Sequence, residues 1–191
     1  MRRRKRLGFQ HSADVKYLFL HSGREWSGTA RAFAAAALGL ARRGHTVTFA
    51  AEPDSTVERV ASEMAALPDG ASLEIRPVSL RSTWLSAALA LRKLARRHAA
   101  DVVCIHTDRE HFVAAVAYRM GSRARVIRRI RAGKGTDIRR TGRIAARLAA
   151  TCYVFATEED EKLARLPRGR SRRVIAPMGV PEAAPQNATD L

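Results

Sequence analysis

Residues 16–52, KYLFLHSGREWSGTARAFAAAALGLARRGHTVTFAAE, restrict the fold more than any other stretch. Tyr17–Leu20 is a short apolar run that meets a glycine loop from Gly23 to Gly28. An alanine-rich amphipathic segment follows from Ala30 to Arg42, and Gly44 stops it before a second apolar run, Thr46–Ala50. Strand, loop, helix, glycine stop and strand make a β-α-β unit. Such a unit sets its strands parallel and puts the loop at their carboxyl edge, where open α/β sheets bind ligands.

The alternation continues along the chain. Helical spacing predicts helices over 55–67 (Ser55 as N-cap), from Ser82 or Thr83 to about His98, and over 111–120, 141–150 and 158–166. Apolar runs predict strands over 73–77, 101–105, around Val126–Ile130, over 151–156 and 173–176. Pro68-Asp69-Gly70 is a turn and Gly133-Lys134-Gly135 opens a loop. The expected fold is α/β and Rossmann-like: a doubly wound, mostly parallel sheet of about seven strands with helices on both faces. Strand order cannot be read from such a pattern.

Composition bounds the rest. A chain of 191 residues, 46% apolar, suits one domain with a sizeable core. No apolar run approaches the roughly 18–20 residues that span a bilayer. MRRRKRLGFQ has the charge of a signal-peptide start, but Ser12, Asp14 and Lys16 interrupt before any apolar core region, so the expectation is a cytoplasmic protein. Cys104 and Cys152 each lie inside an apolar run and read as buried thiols. The net charge of +17 is mostly arginine. One cluster, Arg2–Arg6, reads as a disordered arm within residues 1–15, and a denser one runs from Arg119 to Arg147. Tyr118 stands at its edge and no aromatic lies within it, so phosphate or headgroup contact fits it better than base stacking. Contact with the anionic inner face of the plasma membrane is one expectation, and nucleic acid is disfavoured.

Three ligand readings compete with a plain turn at Gly23-Arg24-Glu25-Trp26-Ser27-Gly28-Thr29. The Gly23-to-Gly28 spacing matches the start of a P-loop, but Thr29 and Ala30 stand where the phosphate-reaching lysine would be. The dinucleotide pattern G-x-G-x-x-G is absent, although Glu52 ends the second strand where a ribose-binding acid would sit. A third possibility is a loop that packs its glycines against a sugar or phosphate with helix N-terminal N–H groups. Trp26 favours this, as a ring to stack on a sugar, or else buries itself under the loop. No His/Cys/Asp cluster has metal-ligand spacing, and no G-x-S-x-G elbow supports hydrolase chemistry.

The ordered set HSGREWSGTARAFAAAALGLARRGHTVTFAAE, ADVVCIHTDREHFVAAVAYRM, RVIRRIRAGKG, TCYVFATEEDEKLARL and RRVIAPMGV resembles the N-terminal domain of a family 4-like glycosyltransferase of the GT-B fold. The resemblance covers roughly residues 16–180. It implies the acceptor-binding half of a retaining enzyme that uses a nucleotide sugar as co-substrate, with no other cofactor and no metal. Glycosyl transfer would be to a polysaccharide or lipid-linked acceptor. It also implies a separate donor-binding domain with paired glutamates, which in the family begins just past PMGV, where residues 181–191 stand here. A truncated product, a split enzyme and a module without catalysis are all consistent with this. The alternative from another class is a non-catalytic basic module for anionic membrane or nucleic acid.

On this resemblance Gly23, Trp26, Ser27, Gly28 and Thr29 face the cleft. Gly28 and Thr29 are expected to offer backbone N–H groups to a donor phosphate or acceptor oxygen. His106 ends the fourth strand, where α/β enzymes place catalytic side chains, and is the candidate to orient a hydroxyl or act as base. Asp108, Arg109 and Glu110 either recognise the acceptor or open the next helix. Many relatives carry a histidine near the position of Arg131. Arginine cannot serve as a base there, so Arg128, Arg129, Arg131 and Lys134 are expected to hold an anionic acceptor or a pyrophosphate.

Overall fold

The computed structural model describes residues 14–67, 73–130, 140–164, 166 and 171–176. Seven parallel strands form one sheet: β1 (Tyr17–His21), β2 (Val47–Ala51), β3 (Leu73–Pro77), β4 (Val102–Ile105), β5 (Arg125–Arg129), β6 (Thr151–Phe155) and β7 (Arg172–Ile175). Among the described residues six helices connect them: α1 (Gly28–Ala41), α2 (Thr56–Ala65), α3 (Trp84–Arg97), α4 (Asp108–Arg119), α5 (Arg140–Leu148) and α6 (Glu158–Leu163). The spatial order is β3-β2-β1-β4-β5-β6-β7. The chain therefore builds outward from β1 in one direction, crosses back, and builds outward from β4 in the other. The gap between β1 and β4 is the topological switch point.

Strand alternation sorts the core into two layers. Leu18 and Leu20 of β1, with Val103 and Ile105 of β4, pack under α3, α4 and α5. Phe19, Val47, Phe49 and Cys104 face the other way, under α1 and α2. A smaller cluster of Ile130, Tyr153, Phe155 and Ala164 lies towards α6.

Side-chain caps set the helix starts. Ser27, Ser55, Thr83, Thr107 and Thr157 each accept a backbone N–H from the first turn of α1, α2, α3, α4 and α6. Ser55 caps α2 as the sequence predicts, and of the two residues considered for α3 it is Thr83 that serves. Gly44 and Gly121 follow α1 and α4 at φ 85° and 95°, left-handed values that suit glycine. α4 differs from its expected start: it begins at Asp108 rather than His111. Thr107 and Glu110 form a capping box, each side chain bonded to the other's backbone N–H, and this draws residues 108–110 into the helix.

The predicted turn at 68–70, the loop from Gly133, the arginine arm at residues 2–6 and the PMGV segment lie outside the described residues.

Candidate active site at the switch point

A cleft of about 1180 Å³ opens where the loops after β1 and β4 meet the N-terminus of α1. Two histidines are central to it. His21 is the last residue of β1 and His106 follows β4, and their rings stack with centroids 4.6 Å apart and planes 18° from parallel. Phe33 of α1 supports both, 5.0 Å from His106 and 6.4 Å from His21. His21 is only 2% exposed. Its Nδ1 lies 3.3 Å from the Gly23 carbonyl oxygen. A carbonyl only accepts, so Nδ1 carries the proton and Nε2 is left as an acceptor, buried and without a partner. Burial first, and then the neighbouring His106, push the His21 pKa down, against the opposing pull of Glu110 and the Gly23 carbonyl.

A buried carboxylate ties the two loops together. Glu110, 1% exposed, accepts at Oε1 from the N–H of Ser22 (2.7 Å) and from its hydroxyl (2.8 Å). At Oε2 it accepts from the N–H groups of His106 (2.9 Å) and Thr107 (3.0 Å). The same oxygen lies 2.9 Å from Nδ1 of His106, off the axis of the ring N–H. Burial alone would raise the Glu110 pKa. The His106 side chain and the backbone N–H groups outweigh it and hold the carboxyl at about 2. With Nδ1 of His106 turned to Glu110, its Nε2 is the ring nitrogen left for the cleft.

Positive charge surrounds these rings. Arg24, Arg81, Arg109 and Arg129 line the cleft, with Glu25 as the acidic lining residue. Arg129 is half-buried, and burial lowers its pKa. Gly28 and Thr29 line the opening at the first turn of α1, where helix N–H groups lack intrahelical acceptors. The arrangement suits a polyhydroxylated ligand with an anionic group: the His106 imidazole for a hydroxyl, arginines and a helix N-terminus for charge.

A profile of Glycosyltransferase Family 4 matches residues 26–177, well over half of the chain. The chain belongs to Glycosyltransferase Family 4. No curated protein matches it in sequence. Among solved structures, MurG of Acinetobacter baumannii is similar in fold, with a TM-score of 0.57 and 14% sequence identity over 83% of this chain. The matched part is 44% of the MurG chain, so the Family 4 domain spans less than half of that protein. The likeness places the seven-stranded sheet in the GT-B class.

Within the Family 4 domain, Gly23, Ser27, Gly28, Thr29, His106 and Arg109 from the sequence-based set line the cleft together, with Arg129. Trp26 does not: it is half-buried against the core beneath α1 and α2, the second of the two roles its sequence allows. Glu110 faces inward, and its carboxylate is occupied by backbone, the Ser22 hydroxyl and His106, so it organises the cleft from behind rather than meeting an acceptor. Arg128 also departs from the expected anion-binding role. It is buried, with Nη1 2.9 Å from Asp108 Oδ1 and 3.1 Å from His111 Nδ1. His111 Nε2 in turn donates to the Thr151 hydroxyl at 2.9 Å, which donates to the Ala149 carbonyl at 3.1 Å. Asp108 and Arg128 therefore join α4 to β5, and His111 and Thr151 extend the chain of contacts to β6. Arg131 and Lys134 lie outside the described residues. Among the described residues no group of three or more His, Cys, Asp or Glu is placed to hold a metal.

His21 and Arg81 belong to the cleft but escape the sequence reading. His21 had a usable signal, since a histidine closing an apolar strand at the ligand edge is the same signal that marks His106. Arg81 had none, because a lone arginine before a helix looks like any surface residue.

Proposed function

We propose that this chain supplies the acceptor-binding half of a nucleotide-sugar-dependent glycosyltransferase. The observation that carries the reading is the stacked His21–His106 pair, fixed over the Glu110 carboxylate at the switch-point cleft of a Family 4 domain. In the reaction an acceptor hydroxyl oxygen bonds to the anomeric carbon as the sugar leaves its nucleoside diphosphate. The residues here bind and orient. Nε2 of His106 meets an acceptor hydroxyl with His21 stacked behind it, and the first turn of α1 receives an anionic oxygen on its N–H groups. Charge on the leaving diphosphate is met by the arginine-lined wall. The donor-binding domain of the family completes the cleft from the opposite side.

The acceptor side also suggests a location at the inner face of the plasma membrane. α3 carries four basic residues and α5 three, and neither has an acid, whereas α1 and α2 together carry two basic and two acidic residues. The layer of α3 to α5 thus presents the charge that anionic lipid attracts. No helix among the described residues is long and apolar enough to cross a membrane.

The test is amide chemical-shift mapping of the full chain with a panel of nucleotide sugars, followed by turnover assays with saccharide and lipid-linked acceptors. Perturbations at Gly28, Thr29 and His106 are expected. Silence across the cleft and no turnover, together with salt-sensitive binding to anionic vesicles or RNA, would replace this reading with a non-catalytic basic module.

A further inference from the structure

His106 offers the cleft a hydrogen-bond acceptor only while its ring keeps one orientation and one tautomer. Glu110 supplies the preference of tautomer: a carboxylate oxygen 2.9 Å from Nδ1 favours the proton there and leaves Nε2 bare. It does not supply the orientation. The oxygen lies off the axis of the ring N–H, and among the described residues Nδ1 makes no hydrogen bond that would set the plane of the ring. The side chain itself imposes little, because the outer torsion of histidine is broad. The plane is therefore set by what touches the faces of the ring. Among the described residues these contacts are His21, stacked at 4.6 Å and 18°, and Phe33, tilted at 5.0 Å and 56°.

His21 has the fixity this requires. It is buried at the end of β1, and its own ring is held from three directions. Nδ1 donates to the Gly23 carbonyl at 3.3 Å, Phe33 meets the ring edge-on at 6.4 Å, and Gly23 closes over Cε1, where a Cβ would lie only 2.8 Å away. Burial, and then His106, push the His21 pKa down, so the ring puts no second positive charge under His106. The surroundings make the orientation of His106 matter. The cleft wall carries Arg24, Arg81, Arg109 and Arg129, with Glu25 as its acid. A His106 ring free to turn away from Glu110 would present Nε2–H as one more donor to an anion. Held in place, it is an acceptor among donors.

We propose that His21 is a positioning residue that acts through His106: its stacked face fixes the His106 ring so that Nε2 accepts from a hydroxyl instead of donating to an anion. His21 thereby decides which part of a ligand lies at this point of the cleft. A sugar hydroxyl meets His106, and anionic oxygens are left to the arginines and the α1 N-terminus. The inference rests on the acceptor-binding reading above and assigns to it the residue that sets the polarity of the His106 contact.

The test reads the tautomer of His106 by nitrogen-15 spectra of the histidine rings in the full chain at pH 8. The His106 signals are assigned by their loss in His106→Gln. In the wild type the Nδ1–H form is expected to exceed the Nε2–H form about tenfold. His21→Ala and His21→Leu, the second of which fills the space without a flat face, should each lower that ratio about fivefold or more. His21→Phe restores a flat face and should recover most of it. Phe155→Leu, which loosens the small cluster towards α6 without touching either ring, should leave the ratio unchanged however much stability it costs. Inorganic pyrophosphate should leave Nε2 unprotonated in the wild type and drive His106 towards Nε2–H in His21→Leu. A wild-type ring that is mainly Nε2–H overturns the proposal, and so does a ratio that His21→Leu does not change. If Phe155→Leu lowers the ratio as His21→Leu does, the effect is one of stability and the proposal falls. If the tautomers behave as expected but nucleotide sugars leave the cleft unperturbed, His21 positions His106 and the transfer reading falls. If nucleotide sugars perturb Gly28, Thr29 and His106 while His21→Leu leaves the tautomer as it was, the transfer reading stands without this one.

Discussion

Ser22 and Glu110 are 88 residues apart in sequence and joined twice in space, the Ser22 N–H and hydroxyl both donating to Oε1 of Glu110 at 2.7 and 2.8 Å. The bonds lash the loop after β1 to the loop after β4, so the two histidines meet as a consequence of one carboxylate. The folded-state pKa of about 2 lies below the ordinary value of 4.5. A depressed carboxyl pKa contributes stability above the unfolded value and loses it as pH falls through the folded one. The difference corresponds to about 3 kcal/mol, present above pH 4.5 and lost by about pH 2. Glu110→Gln is expected to be less stable than wild type by about that amount at pH 7 and to converge with it in acid. Urea melts at several pH values check this, and parallel curves for the two proteins between pH 4.5 and 2 would contradict it.

The two thiols should differ in reactivity. Cys104 is buried in the core under α1 and α2, and burial pushes its pKa up to about 12. Cys152 is half-buried; burial raises its pKa too, but Arg172 pulls the other way. Because the thiolate is the reactive form, a thiol reagent applied to the native protein at pH 8 should label Cys152 first. Cys104 should follow only at the rate of global unfolding, which mass spectrometry of labelled peptides resolves. Labelling of Cys104 at a rate near that of Cys152 would show that this core opens locally.

Much of the fold is legible in the sequence because it is local. The β-α-β period, the Ser55 cap and the strand Leu73–Pro77 all rest on neighbours within a few residues. The start of α4 was also written there, since Thr107-x-x-Glu110 is a capping-box pattern, but three polar residues after a histidine look equally like a loop. Strand order was not legible, because each parallel strand reads as the same apolar run whichever neighbour it takes. The site divides in the same way. Gly28 announces itself by the glycine spacing before a helix, and His106 by its position at a strand end. Arg128 does not, because an arginine between Ile127 and Arg129 reads as basic surface until Asp108 and His111 are brought against it from α4.

Two glycines of the first loop should respond in opposite ways to the same change. A Cβ added at Gly23 would lie 2.8 Å from Cε1 of His21, and that ring is wedged between His106 and Phe33. Gly23→Ala should therefore shift the stack and cost about 1–3 kcal/mol. A Cβ at Gly28 meets nothing within 4 Å. Gly28→Ala should leave stability unchanged or raise it by about 0.5 kcal/mol, as expected for alanine replacing glycine in a helix. If the α1 N-terminus receives an anionic group, the same methyl should weaken nucleotide-sugar binding at least tenfold. Thermal melts and titrations on both variants test the pair. Unimpaired binding by Gly28→Ala would reduce the loop to a turn.

His111 should remain a neutral imidazole far below the usual histidine range. Burial first, and then the Arg128 charge beside it, lower its pKa from 6.5 to about 3. Its partners also fix the tautomer: Arg128 Nη1 can only donate to Nδ1, and the Thr151 hydroxyl gives its proton to Ala149, so Nε2–H must donate to Thr151. Above pH 6.5 the folded and unfolded states are both neutral at this site, and the contribution is fully present. As pH falls from 6.5 towards 3 the unfolded state takes up a proton that the folded state refuses, so stability declines across that window. The decline begins above the Glu110 window, and the two separate on substitution: His111→Gln should flatten the upper part and Glu110→Gln the lower. Thr151→Val should cost about 1–3 kcal/mol by leaving Nε2–H buried without an acceptor. Nitrogen-15 spectra of the imidazoles decide the matter directly. A neutral Nε2–H ring at pH 4.5 is expected, and a protonated His111 at pH 5 would mean that Arg128 and the surrounding burial do not act on it as the geometry requires.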